Sequence, residues 1–148
     1  MNKNTPTISP SDLVYRNGIT YKKFTDFPFN GSVGGRQKGT YKKGIKEGFW
    51  EYYSKMMGQI ERKGVYKNGN REGLWEWYFK NGQLYSKGTY KDGNREGLWE
   101  YYYKNGQIWR KATYKDGKEE GLHELYDKDG NLDRIESGMY KNDTKISD

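Results

Sequence analysis

Cysteine is absent from this 148-residue sequence, and histidine occurs once, as His123. These absences exclude disulfides, thiolate metal sites and histidine-rich metal clusters. No apolar run approaches the ~18–20 residues that a transmembrane helix needs, and the amino-terminal segment lacks the apolar stretch of a signal peptide. We therefore expect a cytoplasmic protein with neither a metal nor a cofactor, provided that no leader has been removed from the sequence.

Aliphatic side chains are also scarce. Hydrophobic residues make up 32% of the sequence, and aromatic residues alone make up 17%, with 15 tyrosines and 5 tryptophans. Any core must therefore be built from aromatic rings, each of which buries roughly 150–250 Å². The 20 glycines follow no collagen period, which indicates many turns.

Positive charge is concentrated at the amino terminus. The net charge is +7, and residues 1–38, with six Lys or Arg and two Asp, account for +4 of it. The remaining 110 residues are nearly neutral, with basic and acidic side chains interspersed. This distribution argues against nucleic-acid binding, which usually needs a concentrated basic surface.

A motif of about 24 residues recurs along the chain. The segment GTYKDGNREGLWEYYYKNGQ at 88–107 follows GVYKNGNREGLWEWYFKNGQ at 64–83. Each copy contains two Asn-Gly or Asp-Gly dipeptides, such as Asn68-Gly69 and Asn81-Gly82, which favour tight β-hairpin turns. The pattern predicts an antiparallel meander with two strands per repeat.

The turns also predict the strand register. A two-residue turn at Asn105-Gly106 places Glu100 opposite Lys111 and Trp99 opposite Ala112. The preceding hairpins give the same arrangement, with a Glu opposite a Lys and a Trp opposite a Gly. We expect these Glu–Lys pairs to fix the register, because each contributes about 0.2–1 kcal/mol.

A two-residue turn at Asp92-Gly93 would in turn set Gly88 opposite Gly97. Because side chains alternate across a sheet, one face should then collect rings and glycines. Positions that are identical in every repeat are expected to be architectural. The predicted repeat core consists of Trp50, Trp75, Trp99, Gly64, Gly73, Gly88 and Gly97.

The repeat unit resembles a MORN-type repeat, and more closely the variant found in bacterial YwqK-like antitoxins. The segment LVYRNGITYKKFTDFPFNG at 13–31 is similar to the opening of that family. The resemblance covers residues 13–141 and implies an all-β fold, a single elongated, twisted antiparallel meander sheet. It also implies a role in neutralising a partner toxin, and it brings no catalytic motif.

The ends of the array are less regular than its middle. We predict a flexible amino terminus at 1–12 and a degenerate capping repeat at 13–38. Repeats of about 24 residues should occupy 39–141, and a flexible carboxyl terminus should occupy 142–148. Unpaired edge strands offer a route to oligomers.

No Ser-His-Asp set, phosphate loop or pair of catalytic carboxylates is evident, so we expect no catalytic residue and no enzyme. Partner contacts are expected where repeats differ, as where Trp109 replaces the earlier Tyr85. An exposed aromatic row on the face that carries Glu and Lys is typical of interface hot spots. The predicted contact residues are Tyr53, Tyr78, Tyr85, Tyr102 and Trp109.

Three functions follow from these features. The first is a protein-binding scaffold, an antitoxin or immunity protein that neutralises a cognate toxin by direct binding. The alternative is a lipid- or membrane-associated scaffold that uses the basic amino-terminal region on an anionic membrane surface. The second alternative is binding of single-stranded nucleic acid through exposed aromatic residues.

Overall fold

The computed structural model describes residues 7–148. An antiparallel sheet of 11 strands, in which neighbours in sequence are neighbours in space, forms most of the structure, and a two-stranded sheet precedes it. The predicted all-β meander is thus confirmed. The elements are a 3-10 helix Pro10–Asp12 and the strands β1 Leu13–Arg16, β2 Ile19–Lys22, β3 Gly31–Val33, β4 Gln37–Lys42, β5 Ile45–Tyr53, β6 Ile60–Lys67, β7 Asn70–Tyr78, β8 Leu84–Lys91, β9 Asn94–Tyr102, β10 Ile108–Lys115, β11 Lys118–Tyr126, β12 Leu132–Lys141 and β13 Thr144–Ser147. Within residues 7–148, no helix is long and apolar enough to cross a bilayer.

One end of the sheet carries tight turns, and we call it the turn edge. It contains the turns β4–β5, β6–β7, β8–β9 and β10–β11. At Asp92 and Gly93 the backbone φ angles are 49° and 86°, and at Asn68 and Gly69 they are 50° and 80°. Positive φ at both central residues defines the type I′ turn, so these Asp-Gly and Asn-Gly dipeptides adopt the predicted geometry.

The opposite end carries longer loops, and we call it the loop edge. It contains the loops β5–β6, β7–β8, β9–β10 and β11–β12. The two-residue turn predicted at Asn105-Gly106 is wrong, because the Tyr103 amide donates to the Gln107 carbonyl over 2.8 Å and so encloses three residues. Only Gly106 has a positive φ there, at 87°. A bulge before Arg110 then restores the register that the simpler turn would give.

The pairings predicted across the loop edge are therefore confirmed despite the different loop. Glu100 faces Lys111 and Trp99 faces Ala112, and the two preceding hairpins repeat this arrangement. The loop has one residue more than predicted, and the bulge removes one residue from the pairing, so the two differences compensate for each other.

The pairing predicted across the turn edge is wrong. Gly88 faces Trp99 rather than Gly97. Gly97 and Leu98 form a bulge in which the φ of Gly97 is 69°, a conformation open to glycine at little steric cost. The same bulge brings Gly64 opposite Trp75 rather than Gly73. As a result, every core tryptophan from Trp75 onward lies between two small residues on its neighbouring strands.

The core lies on one face of the sheet, which we call the ring face. Trp50, Trp75 and Trp99 are at most 1% exposed. Each indole lies over the glycine of the preceding strand, and the Trp99 Nε1–H donates to the Thr89 carbonyl over 3.2 Å. Burial of one such ring contributes roughly 4–6 kcal/mol before entropy costs. A ring-over-glycine core is thus present at the predicted tryptophans, with Gly64 and Gly88 under the rings of Trp75 and Trp99. The placement of Gly73 and Gly97 in this core was wrong, because both lie in bulges and have no ring above them.

His123 occupies the tryptophan position of the fourth repeat. It is fully buried, and its Nε2 lies 3.3 Å from the Thr113 carbonyl, in the position of the Trp75 and Trp99 indole nitrogens, which donate to equivalent carbonyls. Its ring stacks on Tyr140 at 4.1 Å between centroids. Burial lowers the pKa of His123. The residue is therefore a packing element of the core.

The described parts of the two terminal segments, 7–12 and 142–148, contain regular structure where flexible ends were expected. Residues 1–6 of the expected flexible terminus lie outside the described residues, but Ile8 pairs with Val33 and Pro10–Asp12 forms a helical turn. At the other end, Asn142 and Asp143 form a turn with positive φ, and β13 pairs with β12. Turn-forming residues thus place residues 144–147 in a strand rather than a free tail.

The β1–β2 hairpin attaches beside the start of the main sheet. The Thr20 amide donates to the Gly44 carbonyl over 2.9 Å, and the Phe29 amide donates to the Thr20 carbonyl over 2.9 Å. The hairpin therefore lies beside the start of the main sheet, whose two outer strands are β3 and β13. The capping role of 13–38 and oligomerisation through an edge strand stay predictions.

Candidate functional site

The face opposite the rings carries a line of alternating charge, and we call it the ladder face. Adjacent strands place a Lys beside a Glu at each step. The line consists of Lys38, Glu51, Lys63, Glu76, Lys87, Glu100, Lys111 and Glu124.

The ion pairs of this line join strands that are connected at the turn edge. Lys87 Nζ lies 2.9 Å from Glu100, whereas Glu100 and its hairpin partner Lys111 form no salt bridge in the described chain. Lys63 and Glu76 repeat the arrangement at 3.0 Å. The predicted register is right, but the salt bridges form between strands connected at the turn edge rather than between strands connected at the loop edge.

Three of the five predicted contact residues lie together on this face. Tyr78 donates to the Glu76 carboxylate over 3.1 Å, and Lys63 Nζ lies 5.4 Å from the tyrosine ring centroid. Hydrogen bonds with Tyr78 and Glu76 raise the pKa of Lys63. Tyr53 and Tyr102 make the equivalent bonds to Glu51 and Glu100 at 2.9 and 3.1 Å. Each phenol is thus held in place and half-buried.

The other two predicted contact residues lie on the ring face instead. Trp109 packs against Tyr101, with 5.7 Å between ring centroids. Tyr85 packs against Phe79 at 5.1 Å and against Tyr101 at 6.5 Å. The bulge that follows each loop turns these residues over, so the placement of Tyr85 and Trp109 on the Glu–Lys face was wrong.

The ladder face also displays an apolar row, which was not among the predicted contact residues. Phe49, Leu74, Leu98 and Leu122 are 52–55% exposed. Each directly precedes the core Trp or His of its repeat, and therefore points to the opposite face. The signal was present, because a large apolar residue recurs at this position in four successive repeats.

Basic side chains close the ring face over the tryptophans. Arg95 lies 4.6 Å from the Trp99 ring centroid and donates to the Tyr114 hydroxyl over 3.1 Å. Lys46 lies 4.5 Å from Trp50 and donates to the Tyr52 hydroxyl over 2.7 Å. Cation–π contacts of this kind stabilise the fold and cover the rings. The indoles of Trp50, Trp75 and Trp99 are therefore closed to stacking by a nucleobase, which weakens the nucleic-acid alternative.

Lys46 should titrate far below an ordinary lysine. Burial, then repulsion by Arg62 and Arg71, lowers its pKa to about 8 from 10.5. Since the unfolded chain binds this proton more tightly, the contribution of Lys46 to the free energy of unfolding should rise from pH 8 to 10. We expect an NMR titration of its Nζ to show a midpoint near 8, and Arg62→Gln to raise that midpoint. A midpoint that stays at 10.5 would contradict the geometry.

The repeated glutamates before the bulge glycines are structural. The Glu72 carboxylate accepts from the Asp92 amide over 2.9 Å, and Glu96 accepts from the Asp116 amide over 3.0 Å. Each therefore satisfies a backbone donor in the turn of the next repeat. Between residues 7 and 148, no group of three His, Asp or Glu side chains is arranged to hold a metal ion.

Comparison with known proteins gives a family for the repeats. No match was found among curated proteins. The family model described as the MORN repeat variant matches residues 71–92 and 95–116. These segments contain the hairpins β7–β8 and β9–β10, with their bulge glycines and core tryptophans. Repeats of this kind are generally protein- or lipid-binding motifs. Two of the repeats, at residues 71–92 and 95–116, are therefore similar to the MORN repeat variant.

Proposed function

We propose that this protein is a non-enzymatic binding scaffold that docks a partner protein on the ladder face. The observation that carries the proposal is the regular display of three tyrosines and four half-exposed apolar side chains on one face. Equivalent strands of successive repeats are two strand spacings apart, so equivalent side chains are about 10 Å apart. Aromatic and apolar anchors at this density are typical of protein interfaces.

The rigidity of the ladder face favours binding. Ion pairs and tyrosine–glutamate hydrogen bonds hold its side chains before a partner arrives. Ordering a long side chain at an interface costs about 0.5–1.5 kcal/mol, and pre-ordered side chains avoid much of that cost. Its alternating charges also favour a partner of mixed charge over a polyanion.

We propose further that binding neutralises the partner, as an antitoxin or immunity protein neutralises its toxin. The support is the resemblance of residues 13–141 to YwqK-like antitoxins. A scaffold that acts by occlusion needs a broad, preformed surface and no reacting group, which fits the ladder face.

The test is co-expression with the product of the adjacent gene. We expect the two proteins to co-purify and the cells to be rescued from growth arrest. Leu74→Glu/Leu98→Glu should weaken the complex at least about tenfold, because two apolar anchors become buried charges. Ile135→Glu/Ile146→Glu is the matched control, since Ile135 and Ile146 are 81% and 60% exposed and lie outside the apolar row.

Two results would count against the proposal. A complex that Leu74→Glu/Leu98→Glu leaves intact would place the partner on another surface. The absence of both complex and rescue would remove the neutralising role altogether. Thermal unfolding of each variant checks that the exposed substitutions leave the fold unchanged.

A further inference from the structure

The loop edge carries a continuous apolar groove. Three hollows follow one another along the loops, and all three are lined by Phe79. The first also contains Met56 and Met57, which are 93% and 66% exposed, and encloses about 550 Å³. The next is lined by an aromatic cluster and encloses about 540 Å³. Its aromatic lining residues are Phe79, Tyr85, Tyr102, Tyr103 and Trp109.

A row of lysines borders this groove. Lys55, Lys80, Lys104 and Lys128 occupy the same position in successive loops, line the hollows and are exposed. None of the four takes part in a salt bridge within residues 7–148. Of the residues that line the three hollows, Glu61 alone carries a carboxylate. The groove is therefore apolar at its floor and positive at its border.

The spacing of these lysines restricts the ligand. Each loop is separated from the next by two strands, so the lysines repeat about every 10 Å. A polyproline II segment has three residues per turn and rises about 3.1 Å per residue, so every third residue lies on one side at about 9 Å. Aromatic-lined grooves are the sites that recognise this conformation.

We propose that the loop edge binds an acidic segment of a partner protein in the polyproline II conformation. Carboxylates at every third residue would pair with Lys80, Lys104 and their equivalents, and the apolar residues between them would fill the hollows beside Phe79 and Trp109. This site lies at the loop edge and shares Tyr78 and Tyr102 with the ladder face. It goes beyond the proposed function and can fail or succeed independently of it.

The opposite edge of the sheet provides a matched control. The turn edge has lysines at the same repeat spacing, including Lys67 and Lys91, and neither of these two side chains lines the apolar groove. Lys67→Glu/Lys91→Glu therefore changes the net charge by the same amount as Lys80→Glu/Lys104→Glu. Any difference between the two variants reports the position of the charges and not the overall field.

The experiment measures binding of a fluorescent peptide of four Glu-Pro-Leu triplets by anisotropy. We expect saturable binding that weakens with salt and is absent for the Lys-Pro-Leu counterpart. Lys80→Glu/Lys104→Glu should raise the Kd about tenfold or more, and Lys67→Glu/Lys91→Glu less than about twofold. Phe79→Ala should also raise the Kd while leaving the salt dependence unchanged.

The proposal is overturned if the Glu-Pro-Leu peptide does not bind, or if both lysine variants lose binding equally. A parallel sedimentation with phosphatidylserine vesicles tests the other anionic partner. Vesicle binding that Lys80→Glu/Lys104→Glu abolishes, without any peptide binding, would assign the groove to a membrane surface and reject the peptide site. Unchanged thermal unfolding of the variants excludes a folding defect.

Discussion

Replacing Gly88 with alanine is expected to destabilise the fold by about 3 kcal/mol, the upper part of the range for overpacked cores. A Cβ at this position would lie 2.2 Å from Cδ2 of Trp99 and 2.5 Å from its Cγ. These atoms belong to the base of a buried ring, which cannot swing away without disturbing Tyr90 and Tyr114. The clash must therefore be relieved by a shift of the backbone.

Thermal unfolding followed by circular dichroism would measure this effect. A loss of this size should lower the Tm by on the order of 10 °C for a chain of this length. Thr89→Ala is the control in the same strand, because Thr89 is exposed on the other face. A Gly88→Ala variant with the Tm of the parent protein would contradict the ring-over-glycine packing.

Replacing His123 with tryptophan is expected to destabilise the fold by about 2–3 kcal/mol, although tryptophan occupies this position in the three preceding repeats. Where those repeats have a glycine under the ring, the fourth has Ala112. The Cβ of Ala112 fills the space that an indole at position 123 would occupy. The smaller imidazole of His123 and the methyl group of Ala112 are thus a matched pair.

The double variant Ala112→Gly/His123→Trp should recover at least half of that loss. It recreates the pairing of Gly88 with Trp99 one repeat earlier. Chemical denaturation of the parent, both single variants and the double variant gives a coupling free energy, which we expect at about 1–2 kcal/mol. Additive losses would mean that Ala112 and His123 are independent, and would refute the pairing.

Local chemistry made much of this fold predictable. Asp92-Gly93 needs positive φ at two successive positions, so the type I′ turn followed from two residues alone. The same register followed independently from three hairpins, and the predicted pairing of Glu100 with Lys111 is correct. The ring core followed because no other residue type was abundant enough to build one.

The two bulges could not be predicted from the same pattern. The prediction of a strand assumes that side chains alternate between the two faces without interruption. A glycine in the sequence is compatible both with close packing under a ring and with a backbone of positive φ. Gly88 lies under a ring, whereas Gly97 has open space above it and a left-handed backbone. In the sequence the two look alike, so the shift at Gly97 was missed.

The same ambiguity affected the prediction of which face carries each residue of the candidate site. Tyr78 and Tyr102 precede the loops, where alternation is unbroken, and their positions were predicted correctly. Tyr85 and Trp109 follow the loops, where a one-residue bulge reverses the side chain. The choice of ion-pair partner was also beyond the sequence, because Glu100 has a lysine on both neighbouring strands and only its side-chain direction selects Lys87.

The bond from each glutamate to the next turn has a consequence for how such a protein changes length. The Glu72 carboxylate accepts from the Asp92 amide, and the Arg71 carbonyl accepts from the Gly93 amide. Each of these hydrogen bonds joins one repeat to the next and reaches no further. A duplication or loss of 24 codons would reproduce all of these bonds at the new junction. A gain or loss of a single codon within a strand would break them, so length can vary in whole repeats far more easily than in single residues.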